Sequence, residues 1–386
     1  MNKILKRVLI GAGIFVGVVV LGAGGYVGYV ILSYNRIGDC DLKVDSKSEL
    51  EKVAVGDTYK VLTYNIGFGA YSQDFDFFLD TGYDEEGKET CGHHSTAKSK
   101  DEVIFNTNGA ISTTLEQNPD FVCFQEVDTD STRSYHINQD SKIQEKYPAY
   151  DHVHAINFHS AFLPYPLYDM HGAVKGGLTT ISKYKIQEAK RHEYTVSTGF
   201  SKFFDLDRCF SSSVIDVSNG RKLYICNSHM SAYDEGGVIR AKQVEELNAF
   251  LKERKDNGDY VVFAGDWNND LLTNNPDFTY NTTDHRPFGE TKKDPDWVSK
   301  FFDEEGKSPV IEGFKVVASD NYPTSRNNDI EYIPGKTYTT AIDGFIVSEN
   351  IEVVSHENIQ TKNGNKGLDG FAFSDHDPSL LEFKLL

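Results

Sequence analysis

Between Val8 and Tyr34 the chain carries no charged residue and is rich in Val, Ile, Leu and Gly. At about 1.5 Å of rise per residue, about 20 apolar residues cross the hydrocarbon core of a bilayer, and this run exceeds that. Lys3, Lys6 and Arg7 precede it, so the positive-inside rule keeps residues 1–7 cytoplasmic and exports the rest of the chain. A cleaved signal peptide is the rival, but the run is long for one and no clear A-x-A site comes after it. The expectation is a single-pass cell-membrane protein with one transmembrane helix over 8–34. Two G-x-x-x-G spacings, Gly13/Gly17 and Gly24/Gly28, are a weak dimerisation signal in so Gly-rich a span. Residues 35–57 are polar and charged and read as a stalk, leaving 58–386 as an extracellular globular part.

That part is long enough for two domains or one large α/β domain. The formal net charge of −19 disfavours a polyanion as a partner for the whole-molecule field, though a local patch can override it. Some of the acidic residues can themselves be cation ligands. Five cysteines are an odd number for an exported domain. Cys123 and Cys226 sit in apolar, strand-like runs and read as small core residues. Cys40, Cys91 and Cys209 lie in polar surroundings where one disulfide is possible, its pairing not deducible. No zinc-site spacing is present, and nothing calls for an obligate protein partner.

Strand and helix patterns alternate along 58–386. Strands are expected at Tyr59–Ile66, Asp120–Asp128, Ala149–Phe158, Gly177–Lys183, Ser211–Val217, Lys222–Ser228, Tyr260–Ala264, Val310–Val317, Thr339–Val347 and Leu380–Leu385, with helices at Asp101–Gln117 and Val238–Leu251. The mixture indicates α/β or α+β. Residues 67–100 form a long insertion, aromatic and acidic first and polar later; the aromatics of DFDFF argue for a packed lid. His93 and His94 within it are adjacent, cannot easily share one site, and read as solvated.

Polar residues recur where a core does not need them, at the C-terminal ends of strands. Asn65 ends the first and Glu126 lies near the end of the second. His229 ends LYICNSH, and Asp266 and Asn268 come directly after YVVFAG. Asp343 interrupts TTAIDGFIV, and Asp375 and His376 lie in FSDHDPS before the last strand. Each alone reads as a cap, turn or surface residue. Together they supply carboxylates for a Mg²⁺-type cation and two imidazoles that titrate near neutrality.

In this order and spacing, LTYNI, FQEVD, NSHMSA, GDWN, IDGFIV and SDHDP resemble the endonuclease/exonuclease/phosphatase superfamily, the deoxyribonuclease-I-like fold, over roughly Tyr59 to Leu386. The resemblance implies a four-layer α/β/β/α sandwich of two mixed sheets, with the site at one sheet edge. It implies that Glu126 is the main Mg²⁺ (or Mn²⁺) ligand, with Asn65 and Asp375 supporting the metal or its waters. Asp266 and Asn268 would orient the attacking water and hold the phosphate, and His376 would pair with Asp343. His229 and His376 would share the roles of acid, base and phosphate stabiliser, their direction left open. Arg133, Lys175 and Arg326 are candidate phosphate contacts from loops that overhang the site in proteins of this fold. Tyr165 and Tyr168 are candidate aromatic contacts, or lid packing.

The fold does not choose a substrate, since members of the family it resembles cut DNA, RNA, sphingomyelin and inositol phosphates. Tethering at an outer membrane face and the acidic balance favour a lipid-borne phosphodiester, of phospholipase C or sphingomyelinase type, selected by the insertion. A membrane-anchored nuclease is the alternative, and a non-catalytic binding module is the reading from another class.

Overall fold

A computed structural model describes residues 3–199, 202, 207–232, 234–279, 288, 294–362, 364 and 366–386. Helix α1 (Lys3–Ser33) is apolar, has no buried residue, and is long enough to cross a membrane. The remainder is built on two sheets. In the first, β1 (Thr58–Asn65), β2 (Phe121–Asp128), β3 (Asp151–Leu163), β4 (Gly172–Ser182), β11 (Ile351–Asn358) and β12 (Ser379–Leu385) run in the order β11-β12-β1-β2-β4-β3. In the second, β5 (Ile186–Glu193), β6 (Cys209–Val217), β7 (Lys222–His229), β8 (Tyr260–Asp266), β9 (Phe314–Val317) and β10 (Asp343–Ser348) run in the order β5-β6-β7-β8-β10-β9. Both sheets are mixed: β1 pairs with β2 and β7 with β8 in parallel, and most other neighbours are antiparallel.

Strand alternation explains the layers. Along β1, Val61 packs between the sheets, while Leu62 and Tyr64 face α2 (Lys100–Glu116) and α3 (Gln139–Lys146). Along β8, Val262 and Ala264 face the first sheet, while Val261 and Phe263 pack with Val244, Leu247 and Leu251 of α4 (Val238–Asn257). Helices therefore cover both outer faces, giving a four-layer α/β/β/α sandwich.

Several expectations differ. The presumed stalk is not free, because Cys40–Asp41 pairs with β5, Val44–Asp45 with β3 and Lys52–Val53 with β6. Its short polar stretches hid edge strands whose energy is mostly backbone pairing. The strand Thr339–Val347 is split into Thr339–Thr340 and β10. Helix α3 and strands β5 and β11 were not anticipated, since their sequences are mostly polar. Cys209 is buried in β6, as Cys123 and Cys226 are in the core, and all five cysteines are free. Insertion 67–100 is ordered, with Phe68, Tyr71, Phe75, Phe77 and Phe78 forming one buried cluster with Val103.

Buried imidazoles give the fold an acid limit. Burial pushes His192, stacked on Phe210, and His356 down to about 4. A ring held neutral binds fewer protons than in the unfolded chain, so its contribution is complete above the unfolded value near 6.5 and is lost as pH falls toward 4. Between pH 7 and 5 the unfolding free energy of the full-length chain in detergent should drop by about 1–2 kcal/mol per ring. Urea titrations at the two pH values measure this, and His192→Phe should remove its share.

Candidate active site

The rows that face between the sheets change character at one edge. Val61, Thr63 and Asn65 share a face of β1, Ile225, Asn227 and His229 one of β7, and Ala264 and Asp266 one of β8. His229, Asp266 and Asp343 are register partners across three adjacent strands. Beneath them the buried Gln125 Nε2 donates to Asn227 Oδ1 (2.8 Å) and Thr63 Oγ1 (3.0 Å), a polar layer that sequence reading missed. Glu126 by parity belongs to the helix face. A bulge between Phe124 and Val127, with Glu126 at φ +53°, breaks that parity and returns its carboxylate to the inter-sheet edge.

Gly265 is required by this closeness, since a Cβ there would lie 2.4 Å from the Ser228 carbonyl oxygen. Gly265→Ala should push β8 off β7, cost about 1–3 kcal/mol and reduce turnover by separating His229 from Asp266. Thermal melts and kinetics on the same preparation would check both effects.

Asp266 Oδ2 is the hub. It accepts from Asn65 Nδ2 at 3.0 Å and lies 3.5 Å from His229 Nε2 and 3.7 Å from His376 Nε2, while Oδ1 accepts from the Asn268 backbone N–H at 2.9 Å. Burial pushes its carboxyl up to about 6, against the opposing pull of His376. His376 Nδ1 lies 2.7 Å from Asp343 Oδ2. Burial disfavours charge on that ring, but Asp343, Asp266 and Asp375 outweigh it and hold the pKa well above the ordinary value. His229 goes the other way: burial, then the nearby Arg208, hold it well below. Arg208 Nη1 lies 3.1 Å from His229 Nδ1. A guanidinium can only donate, so the neutral ring carries its proton on Nε2, toward Asp266. The surroundings thus push the two imidazoles in opposite directions.

The other anticipated residues divide. Asn268, at φ +50°, donates from Nδ2 to the Met230 carbonyl at 2.9 Å. Asn65 turns its amide nitrogen to the carboxylates and accepts the Gly67 N–H on its oxygen at 3.0 Å, so here it orients Asp266 and Glu126. Asp375 Oδ2 accepts from Asn328 Nδ2 at 2.8 Å. Arg326 lines the cavity, but its buried Nη2 donates to the carbonyls of Ser72 (3.1 Å) and Phe75 (3.2 Å), pinning the insertion. Arg133 is held by Asp128 through Nε and Nη2, both at 3.0 Å. Lys175 is exposed and, among the described residues, is not one that lines the cavity. His93 and His94 pair with Asp76, and Tyr165 and Tyr168 are exposed.

A cavity of about 70 Å³ gathers Glu126, Asp266, Asp375, His229 and His376. Asp80, from the insertion, and Asn328 also line it and were not foreseen, and neither was Arg208. No local pattern marks them, since their partners are distant in sequence. Four carboxylates on one small cavity, with the buried Asn328 Oδ1 lacking a partner, make an oxygen-rich donor set that fits a hard divalent cation. Asp266, Asp343 and His376 also bring ligand atoms within 4.8 Å of one another. Their hydrogen-bonded pairing suits proton handling better, because a cation there would compete with the His376–Asp343 bond.

The α/β/β/α sandwich thus gathers carboxylates, amides and two imidazoles at one sheet edge, a set of groups suited to phosphoester chemistry. Residues 103–376 match the Endonuclease/Exonuclease/phosphatase family, and the chain belongs to it. It is 29% identical to the sphingomyelinase C of Leptospira interrogans over 165 residues, 41% of this chain and 29% of that protein. It is 28% identical to a phospholipase C of Staphylococcus aureus over 99 residues, 24% of this chain and 29% of that protein. The matched part thus spans under a third of either relative. Among solved structures it is similar to zebrafish (D. rerio) TDP2 complexed with single-strand DNA product, with TM-score 0.51, 15% identity, and 85% and 99% of the two chains covered. Truncated Caenorhabditis elegans TDP2 gives TM-score 0.50 at 16% identity, covering 86% and 99%. These likenesses establish the fold.

Proposed function

We propose that the chain is a membrane-anchored, Mg²⁺-dependent phosphodiesterase that acts on a lipid-borne phosphodiester at the outer membrane face. The observation that carries this is the convergence of four carboxylates and two imidazoles on one cavity. Glu126 and Asp375, with Asp80 beside them, would hold the cation, which when bound supplies Lewis-acid stabilisation of phosphoryl charge. Asp266, with its raised pKa, takes the proton of the attacking water as the water's oxygen bonds to phosphorus and the P–O bond in line with it breaks, the leaving oxygen taking a proton from solvent. Asn268 helps place that water. The charged His376, fixed by Asp343, and the Nε2–H of His229 donate to the phosphoryl oxygens as negative charge builds there.

The likeness to a sphingomyelinase C and a phospholipase C supports the lipid class. The apolar, charge-free α1 preceded by Lys3, Lys6 and Arg7 supports a single pass with the N-terminus cytoplasmic. Full-length chain in nanodiscs should release nitrophenol from bis-p-nitrophenyl phosphate with Mg²⁺, none with EDTA, and should lose most of this activity as Glu126→Gln. No release under any condition would make it a binding module. Offered plasmid DNA, RNA and phosphatidylcholine or sphingomyelin vesicles, it should liberate a phosphorylated head group. Cut nucleic acid with intact lipid would replace this reading by that of an anchored nuclease.

A further inference from the structure

A second cavity, of about 590 Å³, opens beside the site, and Tyr71, Glu126 and Ala232 line both. This volume is within the roughly 300–1,000 Å³ of small-molecule sites. One wall is the last part of α1, Val27, Val30 and Ile31; the other is Phe77, Phe158 and Leu163. The helix is fastened there, since Tyr26 Oη donates to the Phe162 carbonyl and the Phe162 N–H donates to Tyr29 Oη, each at 3.1 Å.

Counting places this cavity at the membrane face. The charge-free run begins at Val8, and about 20 helical residues cross the hydrocarbon core, which brings the exit to Val27–Gly28. Tyr26, Tyr29 and Tyr34 lie at that level, as aromatic side chains do at an interface. On the same side the β3–β4 turn exposes Tyr165, Leu167 and Tyr168 by 60%, 77% and 75%, apolar rings and chains that water does not favour. The cavity's lining is mostly apolar; Glu126, shared with the catalytic cavity, and Arg133 give it a polar end there, and Lys202 lies over the Tyr34 ring on the α1 side. Its polarity runs in the same sense as a phospholipid drawn sideways out of the leaflet.

We propose that α1 is a wall of the substrate site as well as an anchor, and that this cavity holds the hydrocarbon chain of a bilayer phospholipid whose phosphodiester reaches Glu126. This rests on the phosphodiesterase reading of the neighbouring site. The entry route would be lateral, from the membrane, with no need to lift the lipid into water.

The test uses full-length chain in nanodiscs of phosphatidylcholine doped with a phosphatidylcholine bearing a diazirine near the end of one acyl chain. After irradiation, label should appear on both the Val27–Ile31 and the Phe158–Leu163 peptides. Ala161→Trp, which fills the cavity, should lower the ratio of phosphatidylcholine turnover to bis-p-nitrophenyl phosphate turnover at least tenfold. Leu9→Trp, on the opposite end of α1, should leave that ratio unchanged. Label confined to the Val8–Leu21 stretch, an unchanged ratio in Ala161→Trp, or a mature chain that lacks α1 would overturn the proposal. Label on both peptides with no cleavage of either compound would keep the cavity and remove the phosphodiesterase reading.

Discussion

Asp266→Asn should lower turnover of bis-p-nitrophenyl phosphate by about a thousandfold, within the range for losing a positioned acid or base together with its electrostatic role. Three nitrogen atoms lie within 3.7 Å of Oδ2 and the Asn268 N–H donates to Oδ1, so the amide retains the shape and an acceptor for Asn65 while losing the basic oxygen. The fold should not suffer. Burial already raises the Asp266 pKa, which means the ionised form is disfavoured in the folded chain and its stability contribution falls as pH rises above the unfolded value. The variant should therefore melt no lower than the wild type at pH 7. Kinetics with circular dichroism on the same sample decide the matter. A well-folded variant keeping more than a tenth of wild-type turnover would remove Asp266 from proton transfer.

That expectation depends on features the sequence displays unevenly. The strand ends are legible because side chains alternate along a strand, so Asn65, His229, Asp266 and Asp343 fall on the same parity as Val61, Ile225, Ala264 and Phe345, which pack between the sheets. Glu126 is legible by its motif and not by parity, which assigns it to the other face; only the bulge brings it in. Arg208 and Asp80 escape because each reaches the site from a segment with no periodic signature, through contacts to residues remote in sequence. The candidate phosphate-binding cations differ for a related reason. Arg133 and Arg326 have neighbours that take up their N–H groups, Asp128 in one case and the carbonyls of the insertion in the other. A loop arginine's partner is set by tertiary packing, which local sequence does not encode.

The second large effect concerns the pair below that hub. His376→Ala should reduce kcat by about a hundredfold to ten-thousandfold, and Asp343→Asn should cost nearly as much despite never touching the substrate. Asp343 Oδ2, 2.7 Å from Nδ1, both fixes the ring and favours its charged form. Replacing it by a neutral amide removes that support, so the His376 pKa falls and the alkaline limb of the pH–rate profile should move to lower pH. Because the two side chains act as one unit, the double variant should be hardly slower than His376→Ala alone. Thr324 anchors the strand end independently of the pair, its Oγ1 accepting the Asp343 N–H at 3.0 Å, so the backbone should stay in place in both single variants. Additive losses, or a pH profile that Asp343→Asn leaves unmoved, would mean that Asp343 is there for packing and that His376 acts without its charge.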